Sequence, residues 1–117
     1  MSLKFKVVNY RDVPNKKFWE TGAKRVRVRW LISEEDGAKN FALRLFEVEP
    51  NGQTALHSHD HEHGVFVLGG KGLVVCDGSE KEVEQGHAIY IPPNSEHCFK
   101  NSERENFYFL CLVPGRE

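Results

Sequence analysis

The chain carries six histidines, and four of them, His57, His59, His61 and His63, occupy alternate positions within seven residues. Imidazole nitrogen is a good ligand for zinc, iron, nickel and copper, so spacing is the first thing to test. In an extended segment successive side chains point to opposite faces, so His57 and His59 project together while Ser58 points away. One ion is within reach of both rings. If residues 60–62 turn the chain and a new strand starts at His63, its ring returns to the same centre from the neighbouring strand, with Val65 and Val67 on the same face. A fourth nitrogen is available from His97, just past the Pro92-Pro93-Asn94 turn and in phase with Phe99 and Asn101. An octahedral ion held by four protein nitrogens keeps two positions for water, oxygen or a chelating substrate. His61 shares the parity of the ligands, but the turn over 60–62 is expected to throw it outward. His87 follows Gln85-Gly86 and reads as a surface or strand-start residue.

These rings need strands to carry them. Alternation is clearest at Arg25-Val26-Arg27-Val28-Arg29-Trp30, where Val26, Val28 and Trp30 share one face and three arginines the other. Further strands are predicted over 41–49 (closed by Pro50-Asn51-Gly52), 53–59, 63–68, 72–76, 81–84, 87–91, 96–101 and 106–113. Turn residues fill the gaps: Gly69-Gly70, Asp77-Gly78-Ser79, Gln85-Gly86, Pro92-Pro93-Asn94 and Asn101-Ser102. Residues 15–20 are expected to form one helical turn at most. Short strands at near-regular spacing, without an amphipathic helix, describe an all-β sandwich or barrel. With 117 residues there is room for one such domain, spanning 1–117.

His57-x-His59-x-x-x-His63 with Phe66-Val67-Leu68-x-Gly70 resembles the first metal motif of the cupins, and Gly86-x5-Pro92-x-Asn94-x-x-His97-x-x-x-Asn101 resembles their second. The resemblance implies a double-stranded β-helix, or jelly-roll barrel, with one divalent transition metal ion (manganese, iron, nickel, copper or zinc) inside it, held by His57, His59, His63 and His97. It departs from the common pattern at two places. His63 stands where most cupins have a glutamate ligand, and Asn94 where the second motif has glycine. Glu62 adjoins His63 with opposite parity, so both cannot reach one ion from a regular strand. An all-histidine set leaves the charge of the ion uncompensated, so the centre is expected to attract anionic ligands. Acid is expected to release the ion, because ligand histidines must be neutral.

Cys111 and Phe109 share a face of the last strand and Phe99 shares one with His97, which makes them candidates for a pocket wall, although core packing explains them too. Arg44 interrupts the apolar stretch Phe41-Ala42-Leu43-Arg44-Leu45-Phe46 and is a candidate clamp for an anionic substrate, or a snorkelling surface arginine. The activity expected first is an oxidoreductase of dioxygenase type acting on a small anionic or enolisable substrate. Alternatives are a metal-dependent sugar isomerase or lyase, with Glu62 or Glu47 as the available carboxylates, and a non-catalytic binding module, since a fold does not fix a function.

Composition bounds the partners. Sixteen basic residues against seventeen acidic ones leave no basic footprint for a phosphate backbone, so nucleic acid is not an expected partner. The longest apolar run, residues 107–113, is far shorter than the ~20 residues of a membrane span. Cys76, Cys98 and Cys111 are odd in number and widely spaced, as in reduced proteins, and no leader-like apolar segment opens the chain, so the cytoplasm is the expected compartment. The run 107–113 is apolar on both faces, which fits either a central strand covered within one chain or a partner subunit, and the resemblance to cupins, which often pair through their outer sheet and N-terminal strands, makes a homodimer the expected state.

Overall fold

A computed structural model describes residues 5–115. The strands are β1 (Lys16–Lys17), β2 (Lys24–Ile32), β3 (Phe41–Gln53), β4 (His63–Gly69), β5 (Lys71–Cys76), β6 (Ser79–Glu84), β7 (Ala88–Ile91), β8 (His97–Lys100) and β9 (Phe107–Pro114). All pair antiparallel, in the order β6-β5-β8-β3-β9-β4-β7, with β2 on β3 and β1 on β2. Two short 3₁₀ turns, Tyr10–Asp12 and Glu34–Asp36, are the only helical elements among the described residues. The sheet curls on itself into a jelly-roll barrel.

β3 is the spine. Its first part pairs with β2 on one edge and β9 on the other, and its last residue, Gln53, pairs with Lys100 of β8. The expected stop at Pro50-Asn51-Gly52 is instead an irregularity within the strand. Asn51 adopts a left-handed φ of 67°, and Gly52 lies so close to β2 that a Cβ there would sit 2.8 Å from the Arg25 carbonyl oxygen. The ladder is locally re-aimed without reversing the chain, as at a β-bulge.

Inward side chains follow the strand period. Val26, Val28, Phe46, Val48, Val65, Val67, Phe99, Phe107 and Phe109 form one buried cluster. Four of its rings connect: Phe109 lies 4.4 Å from Phe99, 5.4 Å from Phe46 and 5.2 Å from Phe107 between centroids. On β9 the pattern resolves the two-sided apolar run: Phe107, Phe109 and Cys111 are buried, whereas Leu112 faces outward and is exposed.

Three expectations need correction. Trp30 is exposed rather than buried with Val26 and Val28, although it stays in register with them opposite Arg44, whose guanidinium lies 5.4 Å from its ring. Residues 53–59 are not a regular strand: beyond Gln53 they follow the edge of β8 opposite to β5, with the Thr54 amide on the Phe99 carbonyl and a single bridge, His57 to His97, but the Phe99 amide donates to the Thr54 hydroxyl instead of a backbone carbonyl and interrupts the ladder. Residues 15–20 contain no helical turn but the short edge strand β1 on β2.

Candidate metal centre

Each histidine of the quartet is placed by a different device. His57 is fixed by reciprocal backbone bonds with His97, of 3.2 and 2.9 Å. The His59 carbonyl accepts a bond from the Asn94 amide at 2.5 Å, which ties the first histidine pair to the Pro92-Pro93-Asn94 turn. Asn94 sits at φ 68°, a left-handed conformation that asparagine tolerates better than most residues, so its place in a glycine position is accounted for. His63 opens β4 opposite Ile91, and His97 opens β8 opposite Cys76.

The rings converge on one space. Centroid separations are 4.3 Å for His57–His59, 5.6 Å for His57–His97, 5.3 Å for His59–His63, 5.7 Å for His59–His97 and 4.9 Å for His63–His97. Three of them are tethered through Nδ1: His97 to the Ser95 carbonyl at 2.9 Å, His57 to the Glu20 carboxylate at 2.9 Å and His63 to the Cys111 sulfur at 3.3 Å. A carbonyl and an ionised carboxylate can only accept, so the Nδ1 atoms of His97 and His57 carry the proton and their Nε2 lone pairs are free.

Two observations test whether a metal ion suits the cluster. The Nε2 atom of His63 is buried without a hydrogen-bond partner, an arrangement that costs free energy unless something else satisfies it. The Nε2 atoms of His57 and His59 stand 3.0 Å apart, a spacing that suits a shared proton and equally two donors at right angles on one ion with bonds of about 2.1 Å. The donor set fits a divalent transition metal. Two trios, His57-His59-His97 and His59-His61-His63, bring one donor atom from each residue within 4.8 Å of one another.

His61 therefore departs from expectation. Its ring is not thrown clear but stacks on His59 at 4.9 Å with 5° between planes, half-buried and 5.1 Å from His63. His87 does behave as a turn residue: it is exposed, and its Nδ1 accepts the Glu84 amide at 2.9 Å.

A cavity of about 130 Å³ opens on the quartet and is lined also by Phe18, Glu20, Arg44, Phe46, Thr54, Phe99, Phe109 and Cys111. The sequence-derived pocket candidates Arg44, Phe99, Phe109 and Cys111 are thus brought together beside the rings. Arg44 donates to the Cys111 sulfur at 3.3 Å and lies over the Phe46 and Trp30 rings, at 4.9 and 5.4 Å. A larger groove of about 780 Å³ between the β4–β5 turn and residues 102–105 holds none of the histidines, so chemistry rather than volume marks the site.

Glu20 escaped the sequence reading. It is the only carboxylate among the described residues that line the cavity. The two carboxylates proposed from sequence lie elsewhere: Glu62 accepts from the Tyr90 hydroxyl at 2.5 Å, and Glu47 bonds Asn15 and Asn106. Burial raises the Glu20 carboxyl above its ordinary range, partly offset by His59, Arg44 and His97. Burial also lowers His57 and His59, and brings His63 down to about 3 with help from His97, Arg44 and His59. The Cys111 thiol is pushed up by burial. His57, His59 and His63 are thus biased toward the neutral form that ligates metals.

A curled antiparallel barrel with an inward histidine cluster near one end defines a small class of folds. The chain matches the cupin domain family model over residues 44–113 and belongs to that family. It is 38% identical to the polyketide cyclase RemF from Streptomyces resistomycificus, whose structure superposes with a TM-score of 0.92, covering 97% of this chain and 81% of that one. It is also 38% identical over 71 residues to the 1-methylthio-D-xylulose 5-phosphate methylsulfurylase of Rhodospirillum rubrum, covering 61% of this chain and 46% of that protein. Over 73 residues it is 36% identical to the dimethylsulfoniopropionate lyase DddW of Ruegeria pomeroyi, covering 62% of this chain and 48% of that protein. The chain spans about half the length of these two curated relatives.

Proposed function

We propose that this cupin is a metal-dependent enzyme that moves protons on a small anionic, enolisable carbonyl compound, in a cyclase- or lyase-type reaction without net oxidation. The observation that carries this reading is the composition of one cavity: an imidazole quartet, one arginine, one carboxylate and aromatic walls. His57, His59, His63 and His97 would hold the ion, which supplies a Lewis acid for a carbonyl or enolate oxygen when bound. Arg44 adds fixed positive charge to the wall and favours an anionic substrate. Phe18, Phe46, Phe99 and Phe109 exclude water and offer flat faces to a planar enol, and Glu20 is the carboxylate at hand for proton movement. At about 130 Å³, the space of about four waters, the cavity takes the reacting end of a substrate. The similarity to a polyketide cyclase and to a dimethylsulfoniopropionate lyase supports a cyclase- or lyase-type reaction over the dioxygenase reading.

Loading the protein with zinc, and separately with iron, and following α-carbon deuterium exchange of β-keto acids by NMR beside an oxygen electrode separates the two. Exchange with redox-inert zinc is the expected result. Turnover restricted to iron and accompanied by oxygen uptake would replace this reading with the dioxygenase one. The cytoplasm, where the free thiols of Cys76, Cys98 and Cys111 stay reduced, is the proposed compartment. A homodimer is proposed through the outer face of β4, β7 and β9, where Phe66, Leu68, Tyr90 and Leu112 are exposed on paired strands.

A further inference from the structure

We infer that Glu20 is a positioning residue that sets the metal affinity of the centre from outside the family-matching region. The inference rests on the metal-dependent reading above. Glu20 lies before residue 44, where the family match begins. Among the described residues it brings the only acidic side chain to the cavity, with Oε2 2.9 Å from His57 Nδ1.

The placement is built by several contacts. β1 pairs with β2 through Lys16–Val28 and Lys17–Arg27, and the Phe18 amide then donates to the Val26 carbonyl at 2.9 Å. The Phe18 ring meets Phe46 edge-on at 5.2 Å, inside the cavity wall. Immediately after Glu20 the chain reverses: the Ala23 amide returns to the Glu20 carbonyl at 2.9 Å, and Gly22 takes a left-handed φ of 94°. A Cβ on Gly22 would touch the Cβ of Ala55 at 3.4 Å, so this turn packs on the segment that leads into His57. Glu20 is therefore held between a strand pair and a packed turn, while its neighbour Trp19 faces outward.

The other two tethers of the cluster are uncharged as they stand, a backbone carbonyl on His97 and a thiol on His63. Glu20 alone is a carboxylate. A carboxylate that accepts the Nδ1 proton of a ligand histidine fixes its tautomer and ring orientation and makes Nε2 a stronger donor. Because imidazole ligates a metal as a neutral donor, Glu20 is also the group that would offset part of the charge of a bound cation without occupying a ligand position.

The test compares zinc affinity, by competition with a chromogenic chelator, among the wild-type chain, Glu20→Gln, Glu20→Asp and the control Glu62→Gln. Glutamine can still accept the His57 proton, so it removes charge and keeps the bond. Glu20→Gln is expected to bind zinc about 10- to 100-fold more weakly, with Glu20→Asp intermediate and the control unchanged. The same series read by NMR should show the His57 Nδ1–H resonance of the zinc-loaded protein moving upfield in Glu20→Gln. A purely structural role predicts a lower melting temperature of the metal-free protein; the role inferred here predicts the same metal-free melting and a smaller rise on adding zinc. Equal zinc affinity in wild type and both Glu20 variants overturns the inference and leaves the metal-dependent reading intact. A wild-type chain that binds no divalent ion overturns both.

Discussion

The most quantitative expectation concerns acid and the metal-free protein. His63 is 6% exposed, and burial, with His97, Arg44, His59 and His61 nearby, lowers its folded-state pKa to about 3 from an ordinary 6.5. The unfolded chain therefore takes up a proton at this ring below 6.5, while the folded chain does not until about 3. Stability attributable to His63 is complete above 6.5 and falls as pH drops through that window. Each unit costs about 1.4 kcal/mol, so at about pH 4.5 the loss is about 2.7 kcal/mol. His57 and His59 are lowered too and act in the same direction, less strongly because they are more exposed. Glu20, raised by burial, acts oppositely, since the folded state protonates it first. Urea unfolding of chelator-treated protein between about pH 7.5 and 4.5 measures the slope, with His63→Asn as the comparison that removes this titration but retains a polar atom near Cys111. With an m-value of about 1.5 kcal/mol/M, the variant should lose about 1.8 M less of its midpoint over that interval. Identical pH dependence in the two proteins would refute the account of His63 as a ring kept neutral by burial.

Two further expectations concern packing. A Cβ at Gly72 would lie 2.4 Å from the Phe107 ring, which is fully buried, so Gly72→Ala should cost about 1–3 kcal/mol and lower the melting temperature by roughly 5–15 °C. Gly64→Ala, which meets nothing within 4 Å, is the control expected to change little in calorimetry. If the outer face is a homodimer interface, light scattering should give twice the chain mass, and Phe66→Glu with Leu112→Lys should return the monomer without unfolding it; a wild-type monomer at high concentration would refute the pairing.

The barrel was legible where burial on one face forces alternation. β2 shows the inward and outward periodicity in its residues, whereas β4 and β9 are apolar on both faces and are legible only through their flanking turns, and the four rings named by the paired motifs are brought together by the fold. Misreadings arose where long-range pairing overrides local pattern. Residues 53–59 alternate as a strand does and follow the free edge of β8, yet the Thr54 hydroxyl takes the Phe99 amide that a ladder would need, leaving one bridge. Pro50-Asn51-Gly52 has the chemistry of a stop, but with β2 and β9 already zipped along β3, a local irregularity accommodates it. Trp30 obeys the period in sequence and keeps its register, but its β3 neighbour is the charged Arg44 rather than an apolar core residue, and it stays exposed. Glu20 was invisible for a different reason: nothing local marks it, and it reaches His57 only because the β1–β2 pairing and the turn on Ala55 bring an early segment across the barrel.

The site's chemistry follows from where its charges sit. A carboxylate bound directly to an ion would cancel part of its charge at the position where substrate must be polarised, whereas one imidazole away it stabilises the bound cation and leaves more of the field facing the open side. Arg44 pushes in the same direction, since its guanidinium contributes positive charge to the wall beside His63 and Cys111. With a cation held by the rings, an anion entering this space would meet positive charge from the ion and from Arg44 beside a low-polarity wall of phenylalanine rings, conditions under which electrostatic interactions are stronger than in water. Because the tethers on His57, His63 and His97 start from the segment after β1, from β9 and from the turn before β8, the arrangement exists only in the folded barrel. The same packing that buries Phe99 and Phe109 therefore also aims the nitrogens, and a ligand that binds the aimed set stabilises the fold in proportion to its affinity.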